Sequence, residues 1–353
     1  MAYTSIDDPS AYFQIATYTG NGTDNTAITY DGNSDMQPDF LWFKLRSTTG
    51  NHVLLDSSKG SSKYLRSNNT AAESTSDTLL KSFDSDGFTV GDSASTNYNT
   101  YTLASWGWKA NGGTTTSNSD GSVTSTVQVN SDAGFSIQTL TSASSGTSNW
   151  GHGLGQKPDW WVVKITGSGG GGWWLHHKGL TSGTSSQYLG LNLTQAATNL
   201  SAFDASSSTI TASADFVANS KTMVCYAFVE KQGYSKFGSY VGNGSSNGTF
   251  VYTGFAPAWI MLKDASQATN WEMFDVKRNT FNVRNLKLGA NLAVAENGSD
   301  LGTTSQNNID ILSNGFKMRT GNTDTNVSGD TYIYMAFAEN PFVTSTGIPT
   351  TAR

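Results

Sequence analysis

The stretch PDFLWFK at residues 38–44 decides the fold, because the chain repeats it twice more. The second copy is PDWWVVK at residues 158–164, and the third is PAWIMLK at residues 257–263. In each copy an apolar run rich in aromatic side chains separates the proline from the lysine. Proline at the start of a strand removes no central hydrogen bond of a sheet, so each copy predicts a buried β-strand.

Other elements recur around this strand. The element YTGNGT at residues 18–23 returns as YVGNGS at residues 240–245, whereas the middle copy has degenerated to LTSA at residues 140–143. Each copy also closes on an apolar run, and these runs end near Trp106, Phe228 and Phe337. We therefore predict three copies of one module.

The apolar runs are short, rich in β-branched and aromatic residues, and bounded by Gly, Asn and Asp. This pattern predicts an all-β chain of three tandem β-sandwich, jelly-roll-like modules, with a small β-solenoid as the competing fold. We expect modules at residues 1–112, 133–232 and 233–342. A Ser/Thr/Gly-rich connector would occupy residues 113–132, and an irregular tail residues 343–353.

Composition excludes several classes of protein. Only 14% of the 353 residues are charged, the formal net charge is −6, and Cys225 is the single cysteine. A nucleic-acid partner is not expected, because phosphate binding needs concentrated positive charge. The MAYTSIDDP start at residues 1–9 resembles no secretory signal, and no apolar stretch is long enough for a membrane span. We expect synthesis in the cytoplasm without a signal peptide and no membrane partner.

Candidate chemistry is sparse. His52, His152 and the pair His176–His177 occupy no recurring catalytic position, so structural or solvent-facing roles are expected. Asp84, Asp86 and Asp92 form a weak calcium candidate, but a turn explains them better because the third module has Asn314 in place of Asp86. The sequence contains no paired-acid motif and no nucleophile elbow. We expect no enzyme activity, no catalytic residue, no bound metal and no cofactor.

Aromatic side chains are the better candidates for a binding site. Most tryptophans lie within the repeated strands, where core packing is expected. Trp150, Trp173 and Trp174 border glycine-rich loops instead, so we predict that they are exposed and stack on the sugar rings of a glycan.

The start at residues 1–9, the YTGNG element and the strand at residues 38–44 together resemble modules in virion surface proteins of marine bacteriophages. The segments SFDSDGF at residues 82–88 and AENPFVTSTGIPTTAR at residues 338–353 share this resemblance, which extends to proteins of cyanophages and pelagiphages. It covers nearly the whole chain, and the middle module departs most. It implies concanavalin-like sandwich modules on the surface of a virion, without enzymatic residues.

We therefore expect a non-enzymatic structural protein on the virion surface, made in the host cytoplasm. It would be a capsid decoration or head fibre, or a tail appendage that contacts host-surface glycans. Other virion proteins would be its partners, and a homo-oligomer, a trimer in a fibre, stays open. Tandem modules would project as a rod, anchored through residues 1–9 or 343–353. A free carbohydrate-binding, lectin-like protein is the alternative, and a depolymerase is a third.

Overall fold

The computed structural model describes residues 3–182, 185–217, 220–301, 308–321 and 324–350. The strands pair in six antiparallel sheets that form three sandwich units, so the predicted all-β sandwich fold is confirmed. Helical structure in the described residues is limited to α1 (Ala94–Asn97) and to 3₁₀ turns at Pro9–Ala11 and Ser299–Leu301. None of these helices has the length and apolar character to cross a membrane.

Module 1 consists of a large inner sheet and a small outer sheet. Its strands are β1 (Phe13–Thr19), β2 (Thr26–Ile28), β3 (Phe40–Leu45), β4 (Val53–Asp56), β5 (Lys63–Leu65), β6 (Ser74–Thr75), β7 (Leu80–Asp84), β8 (Gly87–Val90) and β9 (Thr102–Trp108). The inner sheet has the order β1-β9-β3-β4-β5-β6, and the outer sheet has the order β2-β8-β7.

Module 2 has the same plan with a larger inner sheet. Its strands are β10 (Thr116–Asn118), β11 (Ser125–Asn130), β12 (Phe135–Thr141), β13 (Ser148–Gly151), β14 (Trp160–Ile165), β15 (Trp173–His177), β16 (Thr181–Ser182), β17 (Ser185–Gly190), β18 (Thr198–Leu200), β19 (Phe203–Ala205), β20 (Thr209–Ala212) and β21 (Thr222–Phe228). The inner sheet runs β10-β11-β12-β21-β14-β15-β17-β16, with β18 paired to β17, and the outer sheet runs β13-β20-β19.

Module 3 repeats the arrangement. Its strands are β22 (Ser235–Val241), β23 (Phe250–Tyr252), β24 (Phe255–Asp264), β25 (Glu272–Asp275), β26 (Leu288–Gly289), β27 (Ile309–Leu312), β28 (Gly315–Met318) and β29 (Thr331–Pro341). The inner sheet runs β22-β29-β24-β25-β26 and the outer sheet β23-β28-β27. In all three modules the repeated strand therefore pairs with the closing strand.

The inner sheets are buried on both faces. In β3, Trp42 packs in the core that all three modules share, whereas Leu41 and Phe43 pack against the outer sheet of module 1. Because both faces are covered, the repeated strands contain continuous apolar runs rather than an alternation of apolar and polar residues. This burial explains the sequence pattern from which the strands were predicted.

The three closing strands meet at the centre of the molecule. Trp108, Phe228 and Phe337 occupy equivalent positions in β9, β21 and β29. Their ring centroids are 6.4, 5.6 and 5.5 Å apart, so the three rings form a triangle. The modules are thus arranged around a pseudo-threefold axis, and the predicted rod of tandem modules is wrong. The large apolar area at the axis stabilises the closed arrangement over a rod.

Polar contacts connect the modules in a ring. On the strand that follows the repeated strand, the residue opposite the repeated lysine is His52 in module 1, Trp173 in module 2 and Trp271 in module 3. Each of these side chains forms a hydrogen bond with a backbone carbonyl of another module. His52 Nε2 lies 2.9 Å from Gly289 O in module 3. The indole N–H of Trp173 donates to a carbonyl of module 1 at 2.8 Å, and that of Trp271 to a carbonyl of module 2 at 3.1 Å.

The repeated lysines are buried and bind loops. Lys44 Nζ donates to Ala293 O of module 3, and Lys164 Nζ donates to Thr70 O of module 1. Lys263 Nζ donates within its own module, to Gln267 O. Burial lowers the pKa of Lys44 to about 7 and the pKa of Lys164 and Lys263 to about 8. The lysine of the repeated motif thus holds a loop in place in each module. In modules 1 and 2 this loop belongs to another module.

Residues 113–132, which the sequence predicts as a connector, contain β10 and β11 and extend the inner sheet of module 2. Val123 also forms a parallel bridge with Trp150, so this segment covers the edge of the outer strand β13. Its beginning is held by the buried carboxylate of Asp39, which accepts hydrogen bonds from the backbone of Gly112 and Gly113. The segment is therefore part of module 2.

The repeated Gly-Asn-Gly element, residues 20–22 in module 1 and 242–244 in module 3, forms a loop around a buried asparagine. In module 3, Asn326 Nδ2 donates to Asn243 Oδ1 at 2.9 Å, and the Asn243 N–H donates back to Asn326 Oδ1 at 3.0 Å. Asn97 contacts Asn21 in the same way in module 1. The first glycine is required because a Cβ at Gly242 would lie 2.0 Å from a backbone carbonyl oxygen. The repeat of this element is therefore explained by local structure.

Candidate functional site

The tryptophans that the sequence analysis proposed as glycan-stacking residues are mostly inaccessible. Trp150 and Trp173 are 0% exposed, so the prediction that they are exposed is wrong. Trp150 packs against Trp161 in the core of module 2, and Trp173 packs in the shared core. Trp174 is half-buried and stacks on Phe216 with centroids 4.4 Å apart. The neighbouring glycine-rich loops did not indicate exposure, because other parts of the chain pack against the tryptophan side chains.

The calcium candidate forms hydrogen bonds within its own turn. The carboxylate of Asp84 accepts from Ser82 Oγ at 2.5 Å and from Thr89 Oγ1 at 2.7 Å. Asp86 accepts from the backbone of Met36, and Asp92 is exposed. In the part of the chain that the structure describes, no three His, Cys, Asp or Glu side chains are grouped as a metal site requires.

The histidines are buried and uncharged at neutral pH. Burial lowers the pKa of His52 and His177 to about 3 and that of His176 to about 4, and it also lowers the pKa of His152. In His52, Nδ1 accepts from Trp42 Nε1 at 2.7 Å while Nε2 faces carbonyl oxygens. His177 has the same arrangement of acceptor and donor. These bonds require the neutral Nε2–H tautomer, so the rings have structural roles.

Exposed apolar side chains concentrate in module 3. Among the described residues, the large apolar side chains that face solvent in this module are Val241, Phe250, Tyr252, Phe281 and Val283. Module 1 contributes only Tyr98, and the C-terminal tail contributes Ile348. Phe281 is 80% exposed, which is unusual for a phenylalanine in a folded protein. Clustered exposed apolar residues mark an interaction site.

The outer sheets show the difference most directly. Phe250 and Tyr252 of β23 point outward, because Val251 between them is buried. When the modules are aligned by strand register, the position of Phe250 in module 3 corresponds to Ala27 in module 1 and to Asn149 in module 2. Only the outer strand of module 3 therefore presents aromatic rings to solvent.

Tyr252 lies opposite Gly315, which in turn lies opposite Leu312 of β27. Glycine is required at position 315, because a Cβ there would lie 2.0 Å from Val251 O. The far edge of β27 is covered by the loop that contains Phe281, since Arg284 N donates to Ile309 O at 2.7 Å. The outer strands and this loop together form what we call the module 3 face, residues 250–252, 281–284 and 310–317.

A cavity of about 660 Å³ opens beside the module 3 face. It lies at one end of the sandwich, and its lining includes Val276, Phe281, Arg284, Ile311, Ser313 and Glu339. In module 1 the corresponding end is filled by Met36, which is 0% exposed and whose carbonyl oxygen accepts from Gly87 N. In module 3 only residues 253–254 separate β23 from β24, so no described residue between these two strands is placed to fill this end.

The mouth of the cavity carries both hydrogen-bond donors and acceptors. Lys277 is exposed and forms an ion pair with Asp31 of module 1, with Nζ 2.7 Å from Oδ2. On the far side of Lys277 lies a smaller recess of about 260 Å³ between modules 1 and 3. Arg284 is buried, and its Nη2 donates to Thr280 O at 3.3 Å. This arrangement suits an uncharged polar ligand that has at least one apolar face.

A family model described as a domain of unknown function, DUF7483, matches residues 8–341. The chain belongs to the DUF7483 family. No curated protein matches the chain, and no solved structure matches it. One family model spans all three modules of this DUF7483 chain, which agrees with the single core that they share.

The module 3 face of the DUF7483 chain was not predicted from its residues, although two signals are present in the sequence. The stretch TFVYT at residues 249–253 is a short β-branched and aromatic run, typical of a strand, in which two aromatic residues flank a valine. The spacing between the outer strand and the repeated strand is also much shorter in module 3 than in module 1. Both signals become informative only when the modules are aligned by their strand register.

Proposed function

We propose that this DUF7483 chain is a non-enzymatic structural protein of the bacteriophage virion surface, where its module 3 face contacts host-surface glycans. It serves as a capsid decoration or head fibre, or as a tail appendage. The proposal of a virion location rests on the resemblance to marine phage proteins along nearly the whole chain. The proposal of a glycan contact rests on the module 3 face.

The observation that carries the glycan contact is the contrast between the outer strands. Three modules share one core, yet only the outer strand of module 3 presents aromatic rings, at Phe250 and Tyr252, and a cavity opens beside them. Aromatic faces stack on the apolar faces of sugar rings, and a tyrosine hydroxyl can bond to a sugar hydroxyl. A surface with these groups is suited to contact with glycans.

Immunogold labelling of purified virions with an antibody raised against the chain tests the location. Label over the capsid supports a decoration or head-fibre role, and label at the tail supports a host-attachment role. Intact particles without label, from a lysate in which the protein is present, would contradict the virion proposal.

A free lectin-like protein is the second candidate, because the module 3 face would serve it equally well. A glycan array on the isolated chain, combined with the labelling, separates the two. Glycan binding without virion label favours the lectin, whereas virion label without glycan binding favours a purely structural decoration.

The two termini differ as candidate anchors to the particle. Thr4 and Ile6 are buried, and Thr4 Oγ1 donates to Gln232 O at 2.7 Å, so residues 3–9 are packed against the body of the chain. In the tail, Ile348 is 62% exposed. We therefore propose the tail at residues 343–353 as the anchor. Deletion of these residues should abolish incorporation into virions while the protein still folds, and normal incorporation would place the anchor elsewhere.

A further inference from the structure

We propose that the cavity at the open end of module 3 is a binding site for one neutral hexose unit of a glycan chain. This inference rests on the proposed glycan contact and adds to it the location and the chemical class of the sugar. The cavity volume of about 660 Å³ lies within the range of about 300–1,000 Å³ that is typical of small-molecule sites.

The lining matches the two-sided character of a hexose. Val276 and Ile311 form an apolar part of the wall, and Phe281, which is 80% exposed, also lines the cavity. Thr280, Ser313 and Glu339 supply oxygen atoms beside it. A hexose has C–H groups on its faces and hydroxyl groups at its edge, and each hydroxyl both donates and accepts hydrogen bonds. An aromatic ring beside mixed donors and acceptors is complementary to such a molecule.

The charges around the cavity favour a neutral sugar over an acidic one. Lys277 already pairs with the carboxylate of Asp31, whose two oxygens lie 2.7 and 2.8 Å from Nζ. Glu339 adds a carboxylate to the lining, which also contains the buried guanidinium of Arg284. Two carboxylates next to two cations leave little net positive charge for a uronic acid or a sulfated sugar, and Glu339 would repel it.

The loop that carries Phe281 is held in position before any ligand binds. Asn282 Nδ2 donates to Ile311 O at 2.8 Å, and Ile311 N donates to Asn282 Oδ1 at 3.0 Å. The backbones of Arg284 and Ile309 exchange a pair of hydrogen bonds of 2.7 and 3.1 Å. Such an arrangement lowers the entropic cost of binding, because the loop is already ordered.

The test is a glycan array probed with the full-length chain, followed by titration calorimetry. The array carries neutral hexose oligomers, uronic-acid oligomers and sulfated oligomers. The titrations use methyl glucoside, methyl galactoside and methyl mannoside, with glucuronic acid as the acidic comparison. Phe281→Ala removes the stacking ring, and Thr280→Trp narrows the mouth from an exposed position. Tyr98→Ala is the matched control, because Tyr98 is an exposed aromatic residue of module 1.

We expect the wild-type chain to bind neutral hexoses, and both cavity variants to weaken binding at least about tenfold while the control binds normally. Thermal unfolding of each variant verifies that it is folded. If the wild type binds glycans and neither cavity variant weakens binding, the cavity inference is wrong while the proposed glycan contact stands. Binding of acidic sugars alone overturns the sugar class. A wild-type chain that binds no sugar contradicts the glycan contact itself and the cavity inference with it.

Discussion

The inner and outer sheets of this protein have diverged to different extents. Around the axis, Trp108, Phe228 and Phe337 occupy equivalent positions and contact one another. The hydrogen bonds between modules form a ring in which each module bonds to its neighbours. On the outer sheets the matching positions hold Ala27, Asn149 or Phe250. A repeated position at the axis touches its own copies, so a change there must suit all three modules. A position on an outer strand touches only solvent or a ligand and can change alone.

Acidification should cause the largest loss of stability, through the buried histidines of the inner sheets. Folding lowers the pKa of His52, His176 and His177 from about 6.5 to about 3 or 4, so their contribution to stability is complete above pH 6.5 and is lost as the pH falls below it. Between pH 7 and pH 5 we expect a loss of about 2 kcal/mol per histidine in the free energy of unfolding, about 6 kcal/mol in all. Urea titrations at a series of pH values measure this loss.

A His52→Gln variant provides the control for this prediction. Glutamine does not titrate, so the stability of the variant should fall less steeply between pH 7 and pH 5 than that of the wild type. Equal slopes for the two chains would show that His52 is not protonated during acid unfolding.

Truncation at the axis should have the next largest effect. Trp108 is 1% exposed and contacts Trp259 and Phe337. Trp108→Ala should lower the free energy of unfolding by about 3–5 kcal/mol, because it removes a large buried ring and leaves a cavity. Denaturant unfolding followed by tryptophan fluorescence and by circular dichroism tests whether all modules unfold in one transition. Tyr98→Ala, an exposed aromatic substitution, should leave stability nearly unchanged.

A variant in which module 1 unfolds separately while modules 2 and 3 keep wild-type stability would contradict the shared core. That outcome would restore the picture of independent tandem modules.

Substitution of the buried asparagines at the Gly-Asn-Gly loops should have a smaller effect on stability. Asn326→Ala removes bonds to Asn243, Ser245 and Thr320, and we expect a loss of about 1–3 kcal/mol as the loop loses its polar partners. Asn97→Ala should cost a similar amount in module 1, because Asn97 has the same role there. Thermal unfolding of both variants beside Asn99→Ala, an exposed position, measures the difference. A much larger loss at one site would show that the two loops are not equivalent.

Substitution on the module 3 face should have the smallest effect on stability. Phe250→Ser with Tyr252→Ser should change the free energy of unfolding by no more than about 0.5 kcal/mol, because both side chains are exposed. Binding to a glycan array should nevertheless be lost. The reciprocal variant Ala27→Phe with Thr29→Tyr places rings on module 1, where Met36 fills the end of the sandwich, and it should bind no glycan. Glycan binding by that variant would show that the rings suffice without the cavity.

Local chemistry made the strands and the repeat predictable. The runs at residues 38–44, 158–164 and 257–263 are apolar on both faces, and Asp-Gly or Asn-Gly pairs mark the turns between outer strands. The same information predicted a turn at Asp84 and Asp86. Such features depend on residues close together in sequence, so they can be recognised without knowledge of the fold.

The site could not be predicted in the same way. Trp150 and Phe250 both lie on short outer strands, yet one is buried and the other is exposed. The difference arises because Trp150 faces the interior of its sandwich, at the position that Val251 occupies in module 3, whereas Phe250 faces outward. Which face of a short strand is covered depends on the register in which distant strands pair, and local sequence carries little information about that pairing.

Local residue patterns encode the strand runs and turn pairs, so the amino-acid sequence alone predicts an all-β chain of three related sandwich modules. Three further features depend on how distant segments pack: the modules close around an axis, the repeated lysines bind loops of other modules in two of the three copies, and a cavity opens at one end of module 3. The physical reason is that each sheet has two apolar faces. The outer sheet of its own module covers one face, and only the other modules can cover the second.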